Sequence, residues 1–394
     1  MIKVVHLITS LGQGGAQTML SRLLAGMDRT RIDNVVISLT GQGPVAMWIR
    51  AQGVPVTDLD NRRGVPGRAD VWRLWRLLRR ERPHVLQTWL YHADLIGLLV
   101  GKLARVPAIA WNVRCAETDA RYRSGRNGAV VRLLAHLSRQ PDAVVVNSRA
   151  GRRLHQELGY RPRRWEVMPN GFDVDLFRPD SDAGAALRRE LGLAPEHLLI
   201  GLVARYDPLK DQENFLRAAT IYRRHNAAAR FIMGGDGIDD GNARLTCLIR
   251  ELGIADRVHL LGERSDIPVL TAGFDIATCA SCGEGFPNVV GEAMACAVPC
   301  AATDVGDTAI ILAGTGRVVP PKNPAALAAA WAELAALGPE GRRDLGRRAR
   351  ESVVDRYSIG AVAASYQDFY ASLCKGRQPE RRPKSPLPEG RSGN

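Results

Sequence analysis

The chain has 394 residues, 45% of them hydrophobic and 24% charged, and a formal net charge of +13. This length and composition predict a globular protein of two or three domains. The longest apolar stretch, 95–111, is interrupted by Lys102 and Arg105, so no segment reaches the roughly 20 apolar residues of a membrane-spanning helix. The N-terminal residues predict a strand and a glycine turn and no cleavable signal, so we expect a cytoplasmic protein.

The first predicted unit is a strand over 3–8, a glycine-rich turn over 10–15 and a helix over 16–27. Its glycines do not match the spacing G-x-G-x-x-G of dinucleotide-binding turns. Further apolar runs alternate with helical segments, which favours a parallel sheet with helices on both faces. These runs are 35–39, 54–59, 85–88, 108–111 and 143–147.

Two short segments carry most of the positive charge. Residues 61–82 hold eight arginines and two acids, and residues 375–394 hold six basic residues and two acids. Such clusters indicate an anionic partner. A membrane surface or an acidic substrate fits better than a nucleic acid, because the modules and interleaved aromatics of nucleic-acid readers are not evident in the sequence.

Trp72 and Trp75 stand among the arginines of the first basic segment, a composition that suits the headgroup layer of an anionic membrane. The alternative is a solvated helix over 69–82 whose tryptophans lie in the core. Both interpretations stay open at this stage. The arginines concerned are Arg62, Arg63, Arg68, Arg73, Arg76, Arg79 and Arg80.

His92 follows the strand predicted at 85–88 and faces the presumed ligand crevice. A histidine at such a strand end can bind a sugar hydroxyl or a phosphate, or can simply be a helix-start residue. Later in the chain, turn formers bracket 169–179, which closes the first domain. This segment contains Asp173 and Asp175, so it is either a linker or an Asp-x-Asp site for a divalent metal.

The second domain opens with a strand over 198–204, followed by Arg205 and by Lys210 at the predicted start of the next helix. Open α/β sheets bind ligands at the carboxyl ends of their strands, so these two cations would converge on an anionic ligand. Further strands are predicted at 230–233, 258–260 and 317–319, and helices at 324–337 and 359–373. The Pro-, Arg-, Gly- and Ser-rich tail is expected to be disordered.

The most informative stretch is 271–308, which predicts a strand, a glycine loop and a helix with Pro287 at its first position. A helix start that follows glycines offers unpaired N–H groups to a phosphate. Glu284 and Glu292 would lie about 10 Å apart along the axis. This separation suits the sugar and the ribose on either side of a bound diphosphate.

Four cysteines in and around this stretch have a spacing that superficially matches a zinc site. They are Cys279, Cys282, Cys296 and Cys300. We favour small buried thiols that pack the strand end and the helix, because a metal would have to share the proposed ligand loop. The odd total of seven cysteines also argues for reduced thiols.

The sequence Glu284-Gly-Phe-Pro-Asn-Val-Val-Gly-Glu292, followed by Ala-Met-Ala-Cys-Ala-Val-Pro299, resembles the signature of the retaining family-4 glycosyltransferases of GT-B fold. The resemblance implies an α/β protein with two Rossmann-like domains whose parallel sheets face a central cleft. The implied parts are an acceptor domain over 1–180, a nucleotide-sugar domain over 181–358, a helix over 359–374 that returns to the first domain, and a disordered basic tail over 375–394. The resemblance also favours the interpretation of residues 169–179 as a linker between the domains over a metal site.

The resemblance further implies that Glu284 contacts hydroxyls of the donor sugar, that Glu292 binds the ribose, and that Arg205 and Lys210 hold the diphosphate. We place catalysis at Glu284, Arg205, Lys210 and His92, and donor binding at Gly14, Gly15, Gly285, Phe286, Pro287, Asn288, Val289 and Glu292. Many family members carry a histidine where this chain has Asn112-Val-Arg114. Arg114 is therefore a substitute worth testing.

The function implied is transfer of a hexosyl group from a nucleotide-diphosphate sugar to an acceptor hydroxyl with retention of configuration. We expect a saccharide or lipid-linked acceptor in polysaccharide or glycolipid biosynthesis, contact with the inner membrane face as one option, and no nucleic acid. We also expect no metal and no cofactor besides the donor substrate, because fixed cations and N–H dipoles would stabilise the leaving diphosphate. The alternatives are a nucleotide-sugar epimerase and a catalytically silent nucleotide-sugar binding protein.

Overall fold

Two parallel β-sheets organise the chain. The computed structural model describes residues 1–12, 14–41, 43–59, 67–114 and 125–375. Arg62 and Arg63 lie outside these described residues, as does the tail after Lys375. The predicted fold class is confirmed: the protein has two Rossmann-like α/β units, built on sheets of seven and six strands.

The first sheet has the order β3-β2-β1-β4-β5-β6-β7. Its strands are β1 (Ile2–Ser10), β2 (Ile32–Thr40), β3 (Val56–Asp58), β4 (Val85–Trp89), β5 (Ala108–Val113), β6 (Ala143–Val146) and β7 (Trp165–Val167). The helices between them are α1 (Gly15–Gly26), α2 (Pro44–Ala51), α3 (Arg68–Glu81), α4 (Tyr91–Leu103), α5 (Gly125–Leu137) and α6 (Arg149–Glu157). The helices of this unit cover both faces of the sheet, so its central strands are buried on both sides.

The second sheet has the order β10-β9-β8-β11-β12-β13. Its strands are β8 (Leu198–Val203), β9 (Ala229–Gly234), β10 (Val258–Leu260), β11 (Ile276–Cys279), β12 (Cys300–Thr303) and β13 (Arg317–Val319). The helices are α7 (Ala183–Glu190), α8 (Gln212–Tyr222), α9 (Ala243–Glu251), α10 (Ile267–Ala272), α11 (Asn288–Ala295), α12 (Thr308–Leu312), α13 (Pro324–Ala336), α14 (Gly338–Tyr357) and α15 (Ile359–Lys375). Helix α15 packs into the core of the first unit, where Tyr366 and Tyr370 are fully buried.

The chain passes between the two units twice, and the two passages pair with each other. The backbone N–H of Phe172 donates to the carbonyl of Tyr357, and the N–H of Ile359 donates to the carbonyl of Phe172, both at 2.8 Å. Among the described residues, no helix combines the length and the apolar character needed to cross a bilayer.

The strand order reverses between β1 and β4 in the first sheet and between β8 and β11 in the second. Adjacent connections leave in opposite directions at such a reversal, so a crevice opens at the carboxyl ends of these strands. The segment after β1 leads to Gly14 and the segment after β4 to His92, while β8 leads to Arg205 and β11 to Glu284. The topology thus positions the predicted site residues at the crevices.

Candidate active site

The loop between β11 and α11 is held tightly by its surroundings. Gly306 has φ = 60°, and a Cβ on it would lie 2.5 Å from the carbonyl oxygen of Glu284. Phe286 stacks on Phe172 with 6.1 Å between ring centroids. Pro287 precedes helix α11, which begins at Asn288, so the prediction that Pro287 is the first helical residue was off by one position.

Glu284 is almost buried in this loop and is paired. Its Oε1 accepts hydrogen bonds from Lys210 Nζ at 2.5 Å and from the Ser281 hydroxyl at 2.8 Å. Burial disfavours the charged form of Lys210, but the Glu284 carboxylate outweighs it, so the pKa of Lys210 is raised. The pair is a fixed charge-assisted contact at the end of the β11 strand.

Arg205 and Lys210 occupy different environments. The Arg205 side chain is 60% exposed and pairs with Asp207 at 2.7 Å. Lys210 ends a 3₁₀ turn, Pro208–Lys210, and α8 begins only at Gln212, so the predicted helix start at Lys210 was wrong. In this structure Lys210 is the cation that contacts Glu284, while Arg205 lies at the rim.

Glu292 lies one turn inside α11 and faces the first unit. Its Oε1 accepts hydrogen bonds from Nη1 and Nη2 of Arg22, both at 3.3 Å. Burial raises the pKa of the Glu292 carboxyl, and the positive charge of Arg22 opposes that rise. The sequence analysis did not identify Arg22, although Arg22 is the one charged residue of the helix predicted over 16–27, which was a signal that something pairs with it.

Helices α1 and α11 both begin without a side-chain cap from the residue that precedes them, Gly14 and Pro287. A Cβ at Gly15 would meet no atom of the described residues within 4 Å, whereas a Cβ at Gly14 would lie 2.6 Å from Oε1 of Gln17. Neither helix has an acid in its first turn. Such starts attract an anion through unpaired N–H groups and the helix dipole.

His92 lies in the first turn of α4 and is half-buried. Among the described residues, no group forms a hydrogen bond with its imidazole, and burial lowers its pKa. The preceding Leu90 has φ = 74°, an unusual value for a residue with a branched side chain. This strained turn sets the direction in which α4 leaves the end of β4.

Arg114 is fully engaged in a network between the two units. It donates to the Tyr366 hydroxyl at 3.2 Å and to Oδ1 of Asn170, and it lies over the Trp89 ring at 5.1 Å. Asn170 in turn donates to Oδ1 of Asn288 at 2.6 Å, at the start of α11. Arg114 therefore supports the linker that carries Asn170.

A second link between the units joins Asp307 to the start of α6. Its two carboxylate oxygens accept the backbone N–H groups of Arg149 at 2.7 Å and Ala150 at 2.9 Å. The N–H of Asp307 donates to the carbonyl of Gly285 at 3.2 Å. The helix start in the first unit is thus tied to the loop that carries Glu284.

The alternative metal sites have other roles in this structure. Oδ1 of Asp173 accepts the N–H groups of Asp175 and Leu176 and so closes a turn. The buried cysteines of the second unit pack in its core, namely Cys279, Cys296 and Cys300. Within the described residues, no group of three or more potential ligands is placed to hold a metal ion.

Two family profiles match the chain, one in each unit. "Glycosyltransferase Family 4" matches residues 13–176, and "Glycosyl transferases group 1" matches residues 197–336. The "Putative glycosyltransferase EpsF" of Bacillus subtilis (strain 168) is 25% identical over 336 residues, which are 80% of this chain and 82% of that protein.

The "UDP-Gal:alpha-D-GlcNAc-diphosphoundecaprenol alpha-1,3-galactosyltransferase" of Escherichia coli is 24% identical over 235 residues, 59% of this chain and 60% of that enzyme. The crystal structure of Anabaena Alr3699/HepE in complex with UDP superposes with a TM-score of 0.83 and 22% identity, over 94% of this chain and 100% of that chain. This superposition shows that the two proteins share a fold.

Proposed function

Since the chain belongs to glycosyltransferase family 4 and is a glycosyltransferase of GT-B fold, we propose that it moves a hexosyl group from a nucleotide-diphosphate sugar to an acceptor hydroxyl with retention of configuration. The observation that carries the proposal is the partly buried Lys210–Glu284 pair, 2.5 Å long, in the loop after β11 and just before the uncapped start of α11. A donor sugar and its diphosphate could both be bound at this position.

The diphosphate of the donor would lie between the starts of α1 and α11, which have no side-chain cap from the preceding residue, and would accept hydrogen bonds from the N–H groups of Gly14, Gly15, Asn288 and Val289. The leaving diphosphate gains negative charge in the transition state. Lys210 would stabilise that charge, and the exposed Arg205 would reach the diphosphate by leaving Asp207. The donor requires no metal or cofactor in this proposal.

Glu284 would accept hydrogen bonds from the donor sugar through the carboxylate that Lys210 and Ser281 hold in place. No protein nucleophile is proposed. The acceptor hydroxyl attacks the face of the sugar from which the diphosphate departs, and a diphosphate oxygen takes its proton. Attack on that face retains the anomeric configuration. His92, whose imidazole is half-buried and has a lowered pKa, would be neutral and would bind a sugar hydroxyl.

The relatives suggest substrates to try first. Anabaena Alr3699/HepE was crystallised with UDP, so a UDP-sugar is our first candidate for the donor. The Escherichia coli relative is named for a diphosphoundecaprenol-linked acceptor, which supports a growing glycan or lipid-linked saccharide as the acceptor of this chain. Polysaccharide or glycolipid synthesis on the cytoplasmic side of a membrane is the setting that we propose.

We also propose that the outer face of α3 and α4 touches an anionic membrane. Trp72 is 56% exposed, and Arg76 lies over its ring at 4.7 Å, whereas Trp75 packs partly against the core. On the neighbouring α4, Leu99 and Leu103 are also exposed. Exposed apolar side chains beside arginines suit the interface of an anionic bilayer, where each basic residue contributes about 1 kcal/mol.

Sedimentation with vesicles tests the membrane proposal. The full chain should bind vesicles that contain phosphatidylglycerol and not neutral ones, and Gln at Arg73, Arg76 and Arg80 should weaken the binding. A matched variant with Gln at Arg217, Arg244 and Arg347 removes the same charge from the second unit and should bind normally. Protein that stays in the supernatant with anionic vesicles at low salt would make α3 a solvated face and favour a water-soluble acceptor.

A thermal-shift screen with nucleotide sugars tests the main proposal. A ligand at 100 times its Kd adds about 2.7 kcal/mol of stability, which a melting curve detects. The selected donor is then incubated with saccharide acceptors, and NMR of the product reports its anomeric configuration. An inverted product would refute retention. Conversion of the donor without any acceptor would favour the epimerase, and binding without turnover would favour the silent binding protein.

A further inference from the structure

Arg22 of the first unit reaches a predicted donor-binding residue of the second unit, Glu292. Its Nη1 and Nη2 both donate to Oε1 of Glu292 at 3.3 Å, and the two side chains are 23% and 14% exposed. The guanidinium also lies 5.9 Å from the centre of the Phe177 ring, which limits its movement. The pair is therefore a sheltered contact between α1 and α11.

Both donors of Arg22 use the same oxygen of the carboxylate. Among the described residues, no group donates a hydrogen bond to Oε2 of Glu292. An ionised carboxylate accepts hydrogen bonds on both oxygens, so Oε2 keeps its capacity for a ligand hydroxyl. Binding of a ribose hydroxyl at Oε2 is thus compatible with the Arg22 contact.

The pair lies where a nucleoside would follow the diphosphate. Glu292 is four residues beyond the start of α11, about 6 Å along the axis, and Arg22 is seven residues beyond Gly15, about 10 Å along α1. Arg22 and Phe177 also line a pocket of about 470 Å³ with Asp266 and Pro268. This pocket provides space beside Arg22.

We propose that Arg22 is a positioning residue of the donor site, which holds the Glu292 carboxylate ionised and oriented so that Oε2 accepts a ribose hydroxyl. This inference rests on the proposed function, since it needs a nucleotide donor between α1 and α11. It adds a contribution of the first unit to nucleoside binding. Donor binding would then depend on the approach of the two units.

The ionisation of Glu292 depends on Arg22 because of the other groups around this carboxylate. Burial in α11 raises the pKa of Glu292, and Arg22 is the cation that counters this rise. Cys296 directly follows α11, one turn beyond Glu292, Arg350 from α14 donates to the carbonyl oxygen of Ala295 at the end of α11, and Asp266 before α10 is paired with Arg264. Without Arg22, Glu292 should protonate at a higher pH and lose its acceptor capacity there.

The experiment measures the Kd of UDP and of 2′,3′-dideoxy-UDP for the full chain by calorimetry between pH 5.5 and 8.5. In Arg22→Gln we expect the Kd of UDP to rise about tenfold at pH 7.5 and more at pH 6, with little change for the dideoxy nucleotide. Arg22→Lys keeps the charge and should preserve the pH profile with a smaller loss. Arg31→Gln removes an exposed pair with Asp368 and should change neither Kd.

An equal loss of affinity for both nucleotides in Arg22→Gln would overturn the proposal, because a general distortion of the cleft does not depend on ribose hydroxyls. An unchanged Kd of UDP would overturn it as well. If the wild-type chain bound no nucleoside diphosphate, the proposed function itself would fail. Circular dichroism and the melting temperature of Arg22→Gln show whether the variant is folded.

Discussion

Gly291 in α11 lies so close to Phe172 of the linker that a Cβ on Gly291 would be 2.1 Å from the ring. A side chain at this position must push the helix or the linker away. Overpacking of this kind costs about 1 to 3 kcal/mol. The contact therefore fixes the distance between the proposed donor helix and the segment that joins the two units.

We predict that Gly291→Ala lowers the melting temperature, although Ala is the better helix former by about 1 kcal/mol. It should also weaken donor binding, because Glu292 is the next residue. Gly360→Ala in α15 is the matched control, since a Cβ there meets no atom of the described residues within 4 Å, and it should be neutral or slightly stabilising. Equal melting temperatures for Gly291→Ala and wild type would show that the helix shifts without cost.

Lys210→Ala should lower kcat by about 10² to 10³, the loss typical of one preorganised charge contact. Arg205→Ala should cost less, because this side chain is exposed and already paired with Asp207. Arg217→Ala removes an exposed cation of α8 and serves as the control. Steady-state kinetics with the selected donor measure the kcat of each variant. Near-normal turnover of both Lys210→Ala and Arg205→Ala would remove the diphosphate assignment.

Glu284→Gln and Glu292→Gln should differ in their kinetic effect. Gln at 284 breaks the ion pair with Lys210 and should mainly lower kcat. Gln at 292 should mainly raise the KM and the Kd of the donor through the ribose. The two variants are compared by steady-state kinetics and by calorimetry with the nucleoside diphosphate. If they behaved alike with every nucleotide tested, the division of roles between sugar and ribose would be wrong.

Full activity should survive a chelator, because in the proposed mechanism Lys210, Arg205 and the start of α11 would supply the positive potential for the diphosphate. The measurement is transfer in excess EDTA, compared with transfer after added Mg²⁺ or Mn²⁺. An absolute requirement for either metal would return Asp173 and Asp175 to consideration as ligands and would contradict the mechanism given above.

Two buried histidines should make stability depend on pH. Trp89 donates to Nδ1 of His6 at 3.2 Å, so the His6 Nε2–H donates to Asn34, and burial lowers the pKa of His6 to about 4. Burial lowers the pKa of His155 to about 4 as well. The unfolded chain protonates these histidines near pH 6.5, so stability present above that value is lost as the pH falls to 4, by up to roughly 3 kcal/mol each.

The measurement is the urea midpoint at pH 7 and pH 5. His6→Gln should reduce the difference between the two midpoints, because Gln has no proton to gain. His225→Gln changes an exposed histidine and should leave the difference as in wild type. A difference between the two midpoints that His6→Gln left unchanged would rule out a contribution from His6.

Strands that consist of almost continuous apolar runs could be predicted from the sequence. The runs that became β1, β2, β4, β5 and β6 were recognised because parallel strands buried on both faces are almost continuously apolar. The short edge strand Trp165–Val167 was missed because it contains Glu166 and has no apolar run. Helix α14 was missed because its surface is rich in arginine, although Leu345, Ala349 and Val353 recur every four residues.

Some residues of the candidate site could likewise be predicted from the sequence, and others could not. The acids Glu284 and Glu292 lie in one local motif, so their spacing is visible in the sequence. The contacts of Arg22 with Glu292 and of Asp307 with Arg149 join positions 270 and 158 residues apart. They depend on how the two units face each other, and no local pattern carries that information. The rim position of Arg205 likewise depends on the turn that directs it to Asp207.

The two connections between the units meet at Phe172 and Ser358, so they form a single hinge region. Because the two covalent connections are hydrogen-bonded to each other at one place, we expect the units to rotate about that place more easily than they separate. A crosslink between the two units far from Phe172 should prevent this rotation, while one beside Phe172 should still permit it.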